Sequence, residues 1–153
     1  MNGFAVTPIG RVIRAGEPPR SSAKDGVSEI AIDEKYADGL DGIDGFSHIV
    51  VLFWLDRAEF AGELHGHARG RADMPEVGIF ALRTPLRPNP IALTTVKLLE
   101  RRGNVLTVEG LDALDGTPVI DLKPFSGRYD FVKDAVLPDW MQRLQTTKAP
   151  VLK

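Results

Sequence analysis

The spacing of strand-forming segments constrains this chain most. Short β-branched stretches recur along it, and no helical pattern long enough for a crossover lies between them. The segments FAVTPIGRVIR (4–14), VSEIAID (27–33), ELHGHAR (63–69), IALTTVKLLE (91–100), VLTVEGL (105–111) and TPVIDLKPF (117–125) are bounded by turn residues and read as strands. SHIVVLFWL (47–55) is almost continuously apolar, the pattern of a strand buried on both faces. RRGN (101–104) closes a hairpin between two of them. Parallel strands need crossovers of a dozen or more residues, usually helical, so a doubly wound sheet is excluded. The fold class predicted is mainly β, a small β-barrel of six or seven strands with one or two short helices. The helices are expected at 33–40, with Asp33 as N-cap, and at 138–145, with Pro138 near the start.

A chain of 153 residues suits one compact domain, expected over 1–145, with a loose tail at 146–153. No apolar run approaches the roughly 18 residues of a membrane span, and the N-terminus has no secretory h-region. Cysteine is absent, which removes disulfide and thiolate chemistry and makes cytoplasmic residence the default. The net charge of −2 does not suit a broad phosphate-tracking surface, although four arginines against two acids between 65 and 90 allow a local anion site. Neither G-x-G-x-x-G, nor a P-loop, nor a G-x-S-x-G elbow occurs.

His65 and His67 in HGH would project from one face of a strand. With no cysteine and only His48 as a third histidine, solvated or anion-facing imidazoles are favoured over a metal site, and His48 is expected to be a hydrogen-bonded core residue. In EGLDALDGTP (109–118), turn chemistry accounts for Asp115 bonding the backbone two residues on, with Gly116 at positive φ. LRTPLRPNP (82–90) is unusual. Pro85, Pro88 and Pro90 forbid a helix and stiffen the segment, Arg83 and Arg87 offer planar forks for a carboxylate or phosphate, and Asn89 can both donate and accept. This composition suits a preorganised recognition loop.

GIFALRTPLRPNPIAL followed by LDALDGTPVIDLKPF resembles the TrmO/TsaA-like family (YaeB-like or VirR-like), and PIGRVIR, Pro19-Arg20 and GLDGIDGFSHIVVLFWL extend the resemblance over about residues 7–131. It implies a homodimeric β-barrel methyltransferase that uses S-adenosylmethionine and N6-methylates threonylcarbamoyl-adenosine beside the tRNA anticodon. Carried over motif by motif, it implies cofactor contacts at Pro19, Arg20, Ser21, Asp56, Arg57, Arg83, Leu93, Asp112, Ala113, Leu114 and Asp115. Two of these depart from the family's usual residues: Asp56 stands where histidine is common, and Ser21 where glutamine is. Arg87 and Asn89 are expected to face the acceptor, with Asn89 orienting the base and an acid at or near Asp115 taking the proton. Longer relatives add a C-terminal domain that helps hold tRNA, so tRNA binding is expected to be weak here. The alternatives are the same cofactor with another RNA or small-molecule acceptor, or a non-catalytic regulatory binding module.

Overall fold

The computed structural model describes residues 5–15 and 26–146. Among the described residues there are eight strands: β1 (Gly10–Arg14), β2 (Val27–Ile32), β3 (His48–Trp54), β4 (His65–His67), β5 (Glu76–Gly78), β6 (Ile91–Arg102), β7 (Val105–Glu109) and β8 (Pro118–Pro124). Six of them close an antiparallel barrel in the order β1-β2-β7-β6-β3-β8. The expected fold class is therefore the observed one. The described residues form two compact units. The first is the barrel with its flanking turns, 5–15, 26–56 and 91–131; the second comprises 57–90 and 132–146.

The barrel closes because alternate residues along each strand are apolar and point inward. Val12, Ile30, Ile32, Ile49, Val51, Phe53, Val96, Leu106, Val108 and Val119 are all almost fully buried in one core. Three strands each carry one extra residue relative to a neighbour: Ile13 in β1, Leu99 in β6 and Ile120 in β8. Such bulges add twist and keep the apolar set facing inward on both sides. In β8 the bulge leaves Val119 opposite Phe53 and Leu122 opposite Val51, while Asp121 and Lys123 lie on the outer face as a 2.7 Å ion pair. β6 runs for twelve residues and pairs first with β3 and then with β7, Lys97 facing both. At Gly10 the strands cross too closely for any side chain: a Cβ there would lie 2.2 Å from the Ala31 carbonyl oxygen.

Several expected elements differ in detail. The first strand begins at Gly10 rather than at residue 4, Phe4 lying outside the described residues. The helix at Glu34–Leu40 is 3-10, and the Asp33 side chain makes no capping bond; its carbonyl accepts from Tyr36 N–H at 2.8 Å instead. The helix at 138–145 is found at Asp139–Thr146 and the tail beyond it lies outside the described residues, while a four-residue helix at Gly127–Asp130 was not expected.

In the second unit, β4 and β5 pair as a two-stranded sheet, and Ala68, Met74, Leu82 and Leu144 form a small core with Val77, Trp140 and Met141. β4 is only three residues long because the chain turns at once: Arg69 and Gly70 both adopt positive φ, 55° and 65°. Arg71 clamps Asp73 through two guanidinium nitrogens, while its Nη1 is buried with no partner among the described residues. The hydrogen bond from Arg71 holds the Asp73 carboxyl below the usual carboxylate range.

Candidate functional site

The strand register carries three of the expected cofactor stretches to one end of the barrel. β3 leaves the sheet there at Trp54, directly opposite the first residue of β6, Ile91. Asp56 follows two residues later, exposed, with its N–H on the Trp54 carbonyl at 3.0 Å. Leu93 lies two residues into β6, outward-facing opposite Leu52 and 47% exposed. β8 starts at the same rim, with Val119 opposite Phe53, so residues 110–117, which connect β7 to β8, deliver the chain there.

That connection is held by specific bonds. Gly110 and Gly116, at φ +93° and +84°, supply the two reversals that other residues resist. Leu111 is buried and Ala113 packs against the core, leaving Asp112, Leu114 and Asp115 exposed. Thr117 is buried, with 5% exposure, and brackets Leu114: its Oγ1 accepts from Leu114 N–H at 3.2 Å and its own N–H donates to the Leu114 carbonyl at 3.1 Å. The Gly116 N–H donates to the Val12 carbonyl at 2.8 Å, and the Val12 N–H to the Thr117 carbonyl at 3.0 Å. Asp115 does not bond two residues on as turn chemistry predicts, because Thr117 N–H already goes to Leu114. Its carboxylate instead accepts from Ala15 N–H at the end of β1.

Arg57, Arg83, Arg87 and Asn89 belong to the second unit. Residues 83–90 contain no helix or strand, as three prolines require. Arg83 and Asn89 are exposed. Arg87 is half-buried, and one of its nitrogens turns back into its own loop: Nη1 lies 3.3 Å from the Leu82 carbonyl and 3.5 Å from that of Thr84, the two carbonyls that flank Arg83. Its guanidinium also stands 6.0 Å from the centre of the Phe80 ring. Arg87, expected to face the acceptor, thus commits part of its fork to bracing the loop. Pro19, Arg20 and Ser21 lie outside the described residues.

Sequence reasoning missed Thr117. The signal was present, since stepping back two residues from inward-facing Val119 places Thr117 inside the barrel as well. His48 is a correction: it is exposed at the start of β3, bonded to Ser47 Oγ at 2.9 Å and edge-on to Phe125. His65 and His67 do share an exposed face, and His67 Nδ1 lies 2.7 Å from the Met74 carbonyl. An open cavity of about 600 Å³, lined by Ile32, Tyr36, Leu40, Phe46 and Leu122 among others, lies at the opposite barrel end and holds none of the candidate residues.

Residues 13–131 match the family of the tRNA-methyltransferase O N-terminal domain. An Archaeoglobus fulgidus protein named as a probable S-adenosyl-L-methionine-binding protein is 50% identical over 107 residues, covering 70% of this chain but only 28% of the relative. A second protein of that organism, named as an S-adenosyl-L-methionine-binding protein, is 47% identical over 115 residues, which are 75% of this chain and 81% of the relative. A mouse tRNA (adenine(37)-N6)-methyltransferase is 38% identical over 94 residues, 60% of this chain and 21% of that protein. A solved structure of TrmO from Pseudomonas aeruginosa superposes with a TM-score of 0.70 at 26% identity, covering 88% of this chain and 62% of that one. The chain belongs to the tRNA-methyltransferase O N-terminal domain family.

Proposed function

We propose that this chain is an S-adenosylmethionine-dependent methyltransferase acting on N6 of threonylcarbamoyl-adenosine beside the tRNA anticodon. The observation that carries the reading is the extent of the family match, which takes in every candidate site residue from Pro19 to Asp115. The Archaeoglobus relative, named for S-adenosyl-L-methionine binding, supports the cofactor, and the mouse methyltransferase supports the tRNA adenine.

The residues present suit the cofactor in kind. Leu93 and Leu114 offer half-exposed apolar surface for an adenine at the rim that also carries Asp56 and Asp112, whose carboxylates can accept from ribose hydroxyls. Arg83 offers a bidentate partner for the methionine carboxylate, with Arg57 and the Pro19–Ser21 segment completing the contacts. The cofactor supplies an electrophilic methyl on a sulfonium. The protein's task is to align the N6 lone pair with that methyl and to accept the N6 proton as the new C–N bond forms and the S–C bond breaks. Asn89, exposed on the stiff loop, orients the acceptor, and the outer edge of Arg87 meets the threonylcarbamoyl carboxylate. An acid of the 112–115 turn takes the proton.

The working form is a homodimer. Outward-facing Leu93 and Ile91, both more than two-fifths exposed, pair with Leu52 and Trp54 of β3 to give an apolar strip suited to a two-fold contact. A tRNA substrate supports a cytoplasmic location; separately, among the described residues no helix is long and apolar enough to cross a membrane.

Calorimetry with S-adenosylmethionine tests the cofactor, and Arg83→Ala should weaken binding by about 1.5–3 kcal/mol, as for a lost charged hydrogen bond. Methyl transfer is then measured on tRNA with and without the threonylcarbamoyl group. Transfer only to the modified tRNA is expected; equal transfer to both, or to neither, rejects the substrate.

A further inference from the structure

We propose that Thr117 and Asp115 act as a clasp that positions the 112–115 turn, and that neither serves as a chemical participant. The inference rests on the cofactor reading above, and it gives Asp115 a different role from the proton acceptor expected of it. Thr117 fixes the turn's shape. Its hydroxyl and its N–H hold the two backbone groups of Leu114, so the exposed Leu114 side chain, 48% accessible, projects from a pinned backbone. Asp115 fixes the turn's place. Its carboxylate takes the Ala15 N–H, tying residues one hundred positions apart. Between these two, Gly116 and Thr117 exchange backbone bonds with Val12, so the turn is laced to β1 at successive points. An exposed leucine gains no stability from being pinned, whereas a ligand surface does gain affinity from being ordered in advance.

The two roles differ in what chemistry they require. A proton acceptor needs the charge of Asp115, whereas a clasp needs only an oxygen aimed at Ala15. Asparagine can keep that oxygen and lacks the basicity. Likewise Thr117→Ser keeps the hydroxyl, and Thr117→Val keeps the shape without it. The acid left to take the proton is Asp112, which is exposed and makes no side-chain bond among the described residues.

The test uses the full chain and the four variants Thr117→Val, Thr117→Ser, Asp115→Ala and Asp115→Asn. Amide hydrogen exchange is read at Leu114 and Ala15, and S-adenosylmethionine affinity by calorimetry. Thr117→Val should lose protection at Leu114 and weaken binding by about three- to tenfold, the effect of one hydrogen bond, and Thr117→Ser should restore both. Asp115→Ala should lose protection at Ala15 with a similar fall in affinity, and Asp115→Asn should regain most of each. Asp115→Asn binding or turning over as poorly as Asp115→Ala, while its Ala15 amide stays protected, overturns the clasp in favour of the charge. Thr117→Val binding like the parent overturns it as well. If the parent chain binds no S-adenosylmethionine, the cofactor reading fails by itself. The amides then decide the clasp alone, and rapid exchange at Leu114 and Ala15 in the parent overturns it.

Discussion

Gly10→Ala should open the barrel seam between β1 and β2. The added methyl carbon would lie 2.2 Å from the Ala31 carbonyl oxygen, 2.8 Å from Ile32 Cα and 3.0 Å from the Ala31 carbonyl carbon. All three are backbone atoms of the paired strand, so no side chain can swing aside. To reach ordinary contact the strands must part by roughly 1 Å, against a normal spacing of about 4.8 Å, and the Gly10↔Ile32 pair is strained. Overpacking costs about 1–3 kcal/mol and a weakened ladder bond about 1 more, giving roughly 2–4 kcal/mol. For a chain of this length that corresponds to a fall in Tm of roughly 5–15 °C. Gly39→Ala is the matched control, since nothing lies within 4 Å of its added carbon, and it should stay within about 0.5 kcal/mol of the parent. Urea melts of both variants provide the measurement. A Gly10→Ala stability within about 0.5 kcal/mol of Gly39→Ala would refute the steric argument. Because Val12, two residues on, holds the 116–117 backbone, the same variant should also loosen the proposed cofactor rim.

Two further outcomes are expected. Arg87→Ala should cost no more than about 1 kcal/mol of stability, since its two carbonyl contacts are long, yet lower S-adenosylmethionine affinity by releasing the backbone around Arg83; slowed transfer with unchanged cofactor affinity would instead assign Arg87 to the acceptor alone. The Asp73 carboxyl is held below its usual range by Arg71, so its stabilising contribution is complete above the unfolded value of about 3.9 and is lost as pH falls through the lower folded value; Asp73→Asn should therefore destabilise at pH 7 and converge with the parent in acid, as thermal melts across pH can establish.

What the sequence made legible follows from the range of the interactions involved. β3 and the β6–β7 hairpin were readable because their signals are local: a β-branched apolar run in one case, and a Gly-Asn turn between alternating stretches in the other. The proline loop was readable for the same reason. The three bulges were not, because a bulge is a count of residues against a partner strand that local pattern does not identify. His48 misled because it begins an apolar strand, yet its outward position beside Lys97 faces solvent. Asp115 was legible as a turn residue but not as the partner of Ala15, a contact that exists only once β1 and β8 are neighbours.

The same physical logic governs both candidate segments. In the 82–90 loop, prolines restrict the backbone, and Arg87 reaches the carbonyls on either side of Arg83, so the arginine expected to meet a carboxylate stands on a braced main chain. In the 110–117 turn, two positive-φ glycines make the reversals and Thr117 holds Leu114 from both sides. Each segment carries its restraint within itself or on the adjoining strand, so neither needs a bound ligand to become ordered. Ordering a segment at the moment of binding costs about 1–2 kcal/mol for each residue fixed, and prior restraint removes much of that cost. A site without a glycine-rich phosphate loop has no row of backbone N–H groups to grip its ligand. Such a site depends instead on a few side chains held still, which is why variants of the bracing residues Arg87 and Thr117 should reduce affinity although neither need touch the cofactor.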